Sequence, residues 1–298
     1  MTDEQTGSEQ PRMTRSARHA QKRAPRRSAP SSAGQGLAAA LVPALVAAGV
    51  YTLGMALAWV LTPYPYSDPR MIFAITPVLL VLCGVTIALA VFFRVPAWGG
   101  LGWDLSALWI VVPTGLLLVN LLLALALKGA SPPIVLEIFV GTLLVGVGQE
   151  LAFRGIALTS LARRYSPLVA VLGSAVLFGL MHAVNVLAGQ SIGEVAMQVV
   201  LTTLFGIAFG WVYLNTGRNL LLVVVCHWLW DFGGIGATAA GGGFMATGLM
   251  VELVILVGAV VLSVRGRKAL VAPIPAFTAP APSKQRPATR PRTQRGNS

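Results

Sequence analysis

Residues 134–161 read IVLEIFVGTLLVGVGQELAFRGIALTSL. Apart from Glu137, Glu150 and Arg154 the stretch carries no ionisable group. At a rise of about 1.5 Å per residue, about 20 such residues cross the roughly 30 Å of bilayer hydrocarbon. The run is therefore read as a membrane-spanning helix that holds charge where charge is costly. Working outward, apolar runs of similar length recur at about Leu37–Leu61, Met71–Phe93, Leu105–Leu127, Leu168–Ala188, Val195–Leu214, Leu220–Phe232 and Phe244–Val264. Breaks such as TPYPYSDPR, RVPAWGG, KGASPP and NTGRN separate them. With Ile134–Leu161 they make eight spans, so the expected fold is an all-α polytopic membrane helical bundle of about eight transmembrane helices. The run Leu220–Phe232 is short unless it extends into the glycine-rich stretch that follows.

Composition agrees. The 298 residues are 55% hydrophobic and 11% charged, with a mean hydropathy of +0.75, which excludes a soluble globular domain. The net charge of +12 sits at the two ends. Residues 1–35 carry seven bases against three acids, residues 265–298 carry eight bases and no acid, and seven of each lie between. That distribution argues against nucleic-acid binding. It predicts a basic, disordered tail at 1–35, too hydrophilic for a signal peptide, a bundle at 36–264, and a second basic, Pro-rich disordered tail at 265–298. An even span count places both tails on one side, and the positive-inside bias makes that side the cytoplasm. Arg94, Arg163, Arg164 and Arg218 fall in loops on the tail side, and only Arg70 and Lys128 fall opposite. Anionic membrane lipids are the expected partners of the tail bases, for example RGRK at 265–268. Arginine, alanine and glycine usage suggests a bacterial cytoplasmic membrane. Cys83 and Cys226 lie in apolar runs and read as core residues.

A charge near mid-bilayer costs about 2.5–3.5 kcal/mol, so each one there needs a partner or a task. Glu137, a few residues after Pro133, is expected to reach the outer headgroups. Counting helical rise from the tail side places Glu150, His182, Asp231 and Glu252 roughly 18–21 Å deep and His227 about 12 Å deep. Four helices thereby bring polar groups to one layer, which favours a converging site. Glu150 and Arg154 are four apart on one face, as are His227 and Asp231, and as are Phe178 and His182, with Asn185 on the same side. Two chemistries suit such a set. His182 and His227 with Glu150 or Asp231 would hold a divalent metal such as zinc, with a further carboxylate activating its water. Without metal, a carboxylate and a histidine would polarise water while the second histidine and its neighbour stabilise the oxyanion. The soluble metalloprotease signature HExxH is absent.

At these residues the chain resembles the CPBP family, the CAAX prenyl protease and bacteriocin-processing group of intramembrane proteases, also called the Abi family. GQELAFRG at 148–155, FGLMH at 178–182 and HWLWD at 227–231 follow the family's three motifs in order, within about 130–262. The resemblance implies an eight-helix membrane bundle and an endopeptidase acting on a membrane-embedded, hydrophobic or lipidated peptide. It assigns the site to Glu150, Arg154, His182, His227 and Asp231. Where the family carries the first Glu of its pair, thought to activate water, this chain has Gln149. Gln can orient a water and cannot take its proton. Glu150 would then replace the base, or Asp231 or Glu252 would supply a carboxylate from another helix, or the chain would be a weak or inactive relative. Such a relative would serve as a membrane scaffold or immunity-type protein. Glu252 also reads as a counter-charge to Arg154. A proton-coupled transporter is the remaining alternative, against which stands the lack of repeated halves.

Overall fold

The computed structural model describes residues 32–242 and 245–266. Most of the two expected tails lies outside these residues. The described chain is all-helical, with eight long helices. They are α1 (Ser32–Leu61), α2 (Met71–Phe92), α3 (Leu108–Lys128), α4 (Pro132–Glu150), α5 (Pro167–Met181), α6 (Ile192–Asn215), α7 (Leu220–Ala239) and α8 (Met245–Gly266). The seven spans up to Ala239 are each long and apolar enough to cross a membrane. Their outward surfaces are lipid-compatible, with Leu53, Val91, Phe92 and Leu127 exposed, while Gln149, Glu150, Arg154, Asn185 and His227 are buried. This inversion of the water-soluble pattern is what a hydrocarbon solvent requires.

Helix starts are written in the sequence. Pro132 and Pro167 occupy first-turn positions, where a missing N–H costs nothing. The side chains of Ser166, Ser191 and Asn219 accept from the backbone N–H groups of Val169, Glu194 and Leu222. Several boundaries differ from the sequence reading. α1 opens at Ser32, inside the segment expected to be tail. α7 runs to Ala239, past the expected end at Phe232, because Gly233 and Gly236 let it lie directly on Leu117 and Leu121 of α3. The fifth span is not one α-helix: after Met181 it tightens into a 3-10 stretch, His182–Ala188, ended by Gly189 at φ 85°. The fourth continues beyond Glu150 as a π-helical stretch, Leu151–Leu158, and a final turn, Thr159–Leu161.

α4 lies between α7 and α2, α1 covers its π-helical end, α5 pairs with α6, and α8 packs against α6 and α3. Arg163 donates to the Arg94 carbonyl and Arg218 to that of Pro96, Gly36 lies by Arg164, and Gly266 lies by Trp211. Both ends of the described chain therefore share one face of the bundle with the four loop arginines. At the opposite face Tyr66 N–H donates to the Ala188 carbonyl, and Lys128 to that of Gly241.

The α4–α7 contact positions the site, and it depends on Gly146. A Cβ there would stand 3.0 Å from Trp228 N and 3.1 Å from the Val224 carbonyl oxygen, backbone atoms that cannot rotate away. Gly146→Leu is expected to push α7 from α4 and to destabilise the bundle by about 1–3 kcal/mol. Detergent-solubilised unfolding, compared with the parent, measures this.

Candidate active site

Glu150, Arg154, His182, His227 and Asp231 come from three spans, and Arg154, His182 and His227 meet around the Phe178 ring. Glu150, the last α-helical residue of α4, is fully buried. Its Oε1 accepts from Arg154 Nη1 at 2.9 Å and from His227 Nδ1 at 2.6 Å. Arg154 sits in the π-helical stretch, whose wider turn frees backbone carbonyls. Side-chain hydroxyls take them up: Ser174 donates to the Phe153 carbonyl and Thr159 to that of Arg154. The Arg154 guanidinium lies 4.4 Å over the Phe178 ring. The same ring stands edge-on to His182 at 5.0 Å and to His227 at 5.9 Å.

Donor chemistry fixes the histidine tautomers. A carboxylate only accepts from a neighbouring N–H, so His227 Nδ1 carries hydrogen toward Glu150, and in the neutral ring Nε2 holds the lone pair. His182 Nδ1 lies 3.0 Å from the Phe178 carbonyl oxygen, and the same reasoning leaves its Nε2 free. Asp231 Oδ2 stands 3.6 Å from His227 Nε2.

A cavity of about 460 Å³ takes in Gln149, His182, Asn185, His227 and Asp231. It reaches the bundle face opposite the loop arginines, where Ser67, Pro69 and Thr238 form its rim. Glu150 and Arg154 are not on its wall. One residue along a helix turns the side chain by about 100°, so Gln149 faces the cavity and Glu150 faces α7 behind it. The second carboxylate oxygen of Glu150 is buried and finds no partner among the described residues. The Gln149 carbonyl oxygen is also buried and finds no partner among the described residues, which leaves its NH2 group to serve the cavity. Glu252 does not line this cavity and makes no ion pair with Arg154. It lines a second cavity of about 570 Å³ with Glu194, beyond the α6–α7 wall. Asp231 is the one carboxylate on the first cavity's wall.

Among the described residues no three His, Cys, Asp or Glu side chains gather closely enough to share a metal ion. Glu150 and the His227 Nδ1 it holds are spent on each other. Of the expected metal set, His182, His227 and Asp231 line the cavity and Glu150 does not. Cys83 and Cys226 are free and buried, as expected for core residues.

The motifs GQELAFRG, FGLMH and HWLWD so converge on one ring and one cavity. Residues 131–233 match the family model described as type II CAAX prenyl endopeptidase Rce1-like. That match supports the resemblance to CPBP membrane proteases over the stretch that carries the three motifs. No curated protein matches the chain. The match ends within α7, short of the 262 expected for the CPBP core, and contains every motif residue of the site. The CPBP family is one of CAAX-type intramembrane endopeptidases. The sequence reading missed Trp59, Tyr66 and Gln198 on the cavity wall. A search restricted to ionisable residues passes over Gln198, whose amide in an apolar span was a usable signal. Trp59 and Tyr66 carry no mark that separates them from ordinary packing or interfacial aromatics.

Proposed function

We propose that this protein is a metal-free intramembrane endopeptidase that hydrolyses a peptide bond in a membrane-embedded or lipidated peptide, with His227 as general base. The observation that carries this reading is the Glu150–His227 bond, which leaves Nε2 facing a polar cavity inside an apolar bundle. In the proposed reaction His227 Nε2 takes a proton from water while the water oxygen attacks the scissile carbonyl. The imidazolium that forms is stabilised by Glu150, as in triads where a buried carboxylate orients a histidine. The carbonyl's electron pair moves to its oxygen, where the Gln149 NH2 group is placed to donate. Collapse of the intermediate breaks the C–N bond, and His227 returns the proton to the leaving amine. Asp231, beside Nε2, orients the water. His182 Nε2 is the alternative acceptor for the water's second hydrogen.

The same reading places the chain in a bacterial cytoplasmic membrane with both tails in the cytoplasm and in contact with anionic lipids. Its support is the clustering of Arg94, Arg163, Arg164 and Arg218 at the face shared by the two chain ends. The cavity then opens toward the outer face.

Purified protein in nanodiscs is expected to cleave a membrane peptide, and a chelator is expected to leave the rate within about twofold, since no step uses a metal. A tenfold loss restored by zinc would overturn the metal-free mechanism. The second reading, a non-cleaving scaffold or immunity-type protein, is favoured by Gln149 alone. It is adopted if the parent cleaves nothing while Gln149→Glu does.

A further inference from the structure

Two arginines of the loop face, Arg163 and Arg218, are half-buried. Arg163 follows the fourth span and Arg218 follows α6, yet both reach the α2–α3 loop. Arg163 Nη2 donates to the Arg94 carbonyl at 3.3 Å and Arg218 Nη1 to that of Pro96 at 2.9 Å. Those carbonyls are two residues apart, so the two cations stand side by side. Burial, and after it the Arg218 charge, pulls Arg163 below the usual guanidinium range. Among the described residues no carboxylate pairs with either arginine. Asp104, in the same loop, accepts from the Ser106 N–H instead. Arg163 Nε is shielded from solvent and has no partner among the described residues. Backbone strain points the same way. Arg94 and Arg218 both adopt left-handed conformations, at φ 50° and 65°, which glycine takes at no steric cost. An orientation signal needs basic residues anywhere in a loop, and gives no reason to crowd, half-bury and strain them.

We propose that Arg163 and Arg218 form a binding site for the phosphate of an anionic membrane phospholipid. The site deepens the lipid contact inferred above and rests on that reading for the ligand's class. Each guanidinium gives a single N–H to a loop carbonyl, which leaves donors on two planar forks for the oxygens of one phosphate. Such an anion also offsets the repulsion between the two like charges. What stands beside the pair makes the bilayer its source. Gly99 N–H donates to the Arg218 carbonyl, and a Cβ at Gly99 would come 2.9 Å from the Arg218 Cβ, so the loop lies directly on this arginine. The same loop leaves Trp98, Leu101 and Trp103 exposed. Tryptophans at a membrane surface sit at headgroup level, which brings a lipid's phosphate to the arginines and its acyl chains to these apolar side chains. A zwitterionic headgroup would bring an ammonium to a face that also carries Arg94 and Arg164, and is disfavoured.

The test uses the full chain in dodecylmaltoside micelles, titrated with phosphatidylglycerol or phosphatidylcholine and read by native mass spectrometry. The parent is expected to bind phosphatidylglycerol about tenfold more tightly, the worth of one hydrogen bond to a charged group. Arg163→Lys and Arg218→Lys keep every charge and remove the fork, so each is expected to weaken phosphatidylglycerol binding about tenfold. Arg164→Lys, on the exposed neighbour, should stay within about twofold, and an equal loss there overturns the site. Glycerol 1-phosphate, which brings no apolar chain, should compete about a hundredfold more weakly than the lipid. Equal affinity of the parent for the two lipids overturns both the site and the lipid contact on which it rests. A preference for phosphatidylglycerol that survives both lysine substitutions overturns the site and retains a diffuse contact. Glycerol 1-phosphate competing as well as the lipid overturns the membrane as the source of the phosphate. Helical content is compared in parallel, and if one lysine variant fails to fold the other carries the comparison.

Discussion

Glu150→Gln is expected to lower kcat by about 10³–10⁴-fold with little change in KM, although residue 150 does not reach the cavity. The substitution keeps the side chain's shape and removes the charge that stabilises the His227 imidazolium. Gln also offers an N–H as readily as a carbonyl to Nδ1, so it no longer enforces the tautomer that leaves Nε2 unprotonated. His227→Ala, which removes the base itself, is expected to cost at least as much. Single-turnover cleavage at saturating peptide is the measurement, with helical content checked in parallel. If Glu150→Gln retains activity within about tenfold, His227 is not the base. Asp231, the carboxylate on the cavity wall, then takes that role.

The second large effect is on stability. Arg154 is 1% exposed, and among the described residues its guanidinium is the only charge paired with this carboxylate when His227 is neutral. Arg154→Met removes a cation from beside a fully buried carboxylate and is expected to destabilise the bundle by about 3–5 kcal/mol, the usual result of leaving one buried charge unpaired. Glu150→Gln combined with Arg154→Met should recover most of that loss, because no charge then remains to be compensated. The double variant should stay inactive. Unfolding in mixed micelles gives the three values for a mutant cycle. Additive losses would show that the two side chains act independently, contrary to their 2.9 Å contact.

These two experiments separate roles that the motif runs together. Gln149 and Glu150 are adjacent in the chain, yet one serves the cavity and the other serves a histidine behind it. The departure at Gln149 therefore puts an amide in place of a carboxylate on the cavity wall without disturbing the Arg154–Glu150–His227 assembly. That is why an intact His-centred site coexists with a broken family motif.

Much of the site could be read before any coordinates. Hydropathy and the length of each apolar run specify spans because the bilayer's thickness and the cost of unpaired backbone in lipid leave helices as the solution. Rise per residue then puts Glu150, His182, His227 and Asp231 at comparable depth, and four-residue spacing pairs Glu150 with Arg154. Glu252 shows where depth fails as a guide. It shares the layer and still lies beyond the α6–α7 wall, because depth along the membrane normal says nothing about position in its plane.

By itself the sequence determined an all-α membrane bundle, its charge asymmetry and the spans that carry the reactive groups, since all of these follow from local composition and helical geometry. Only the tertiary structure decided that Gln149 turns to the cavity and Glu150 to α7, that Trp59, Asn185, Gln198 and Tyr66 join in one hydrogen-bonded chain, and that the cavity opens away from the arginines. The reason is rotational. These helices are apolar on every side, so nothing along the chain marks which face turns inward, and that choice is made by contacts such as Gly146 on the α7 backbone.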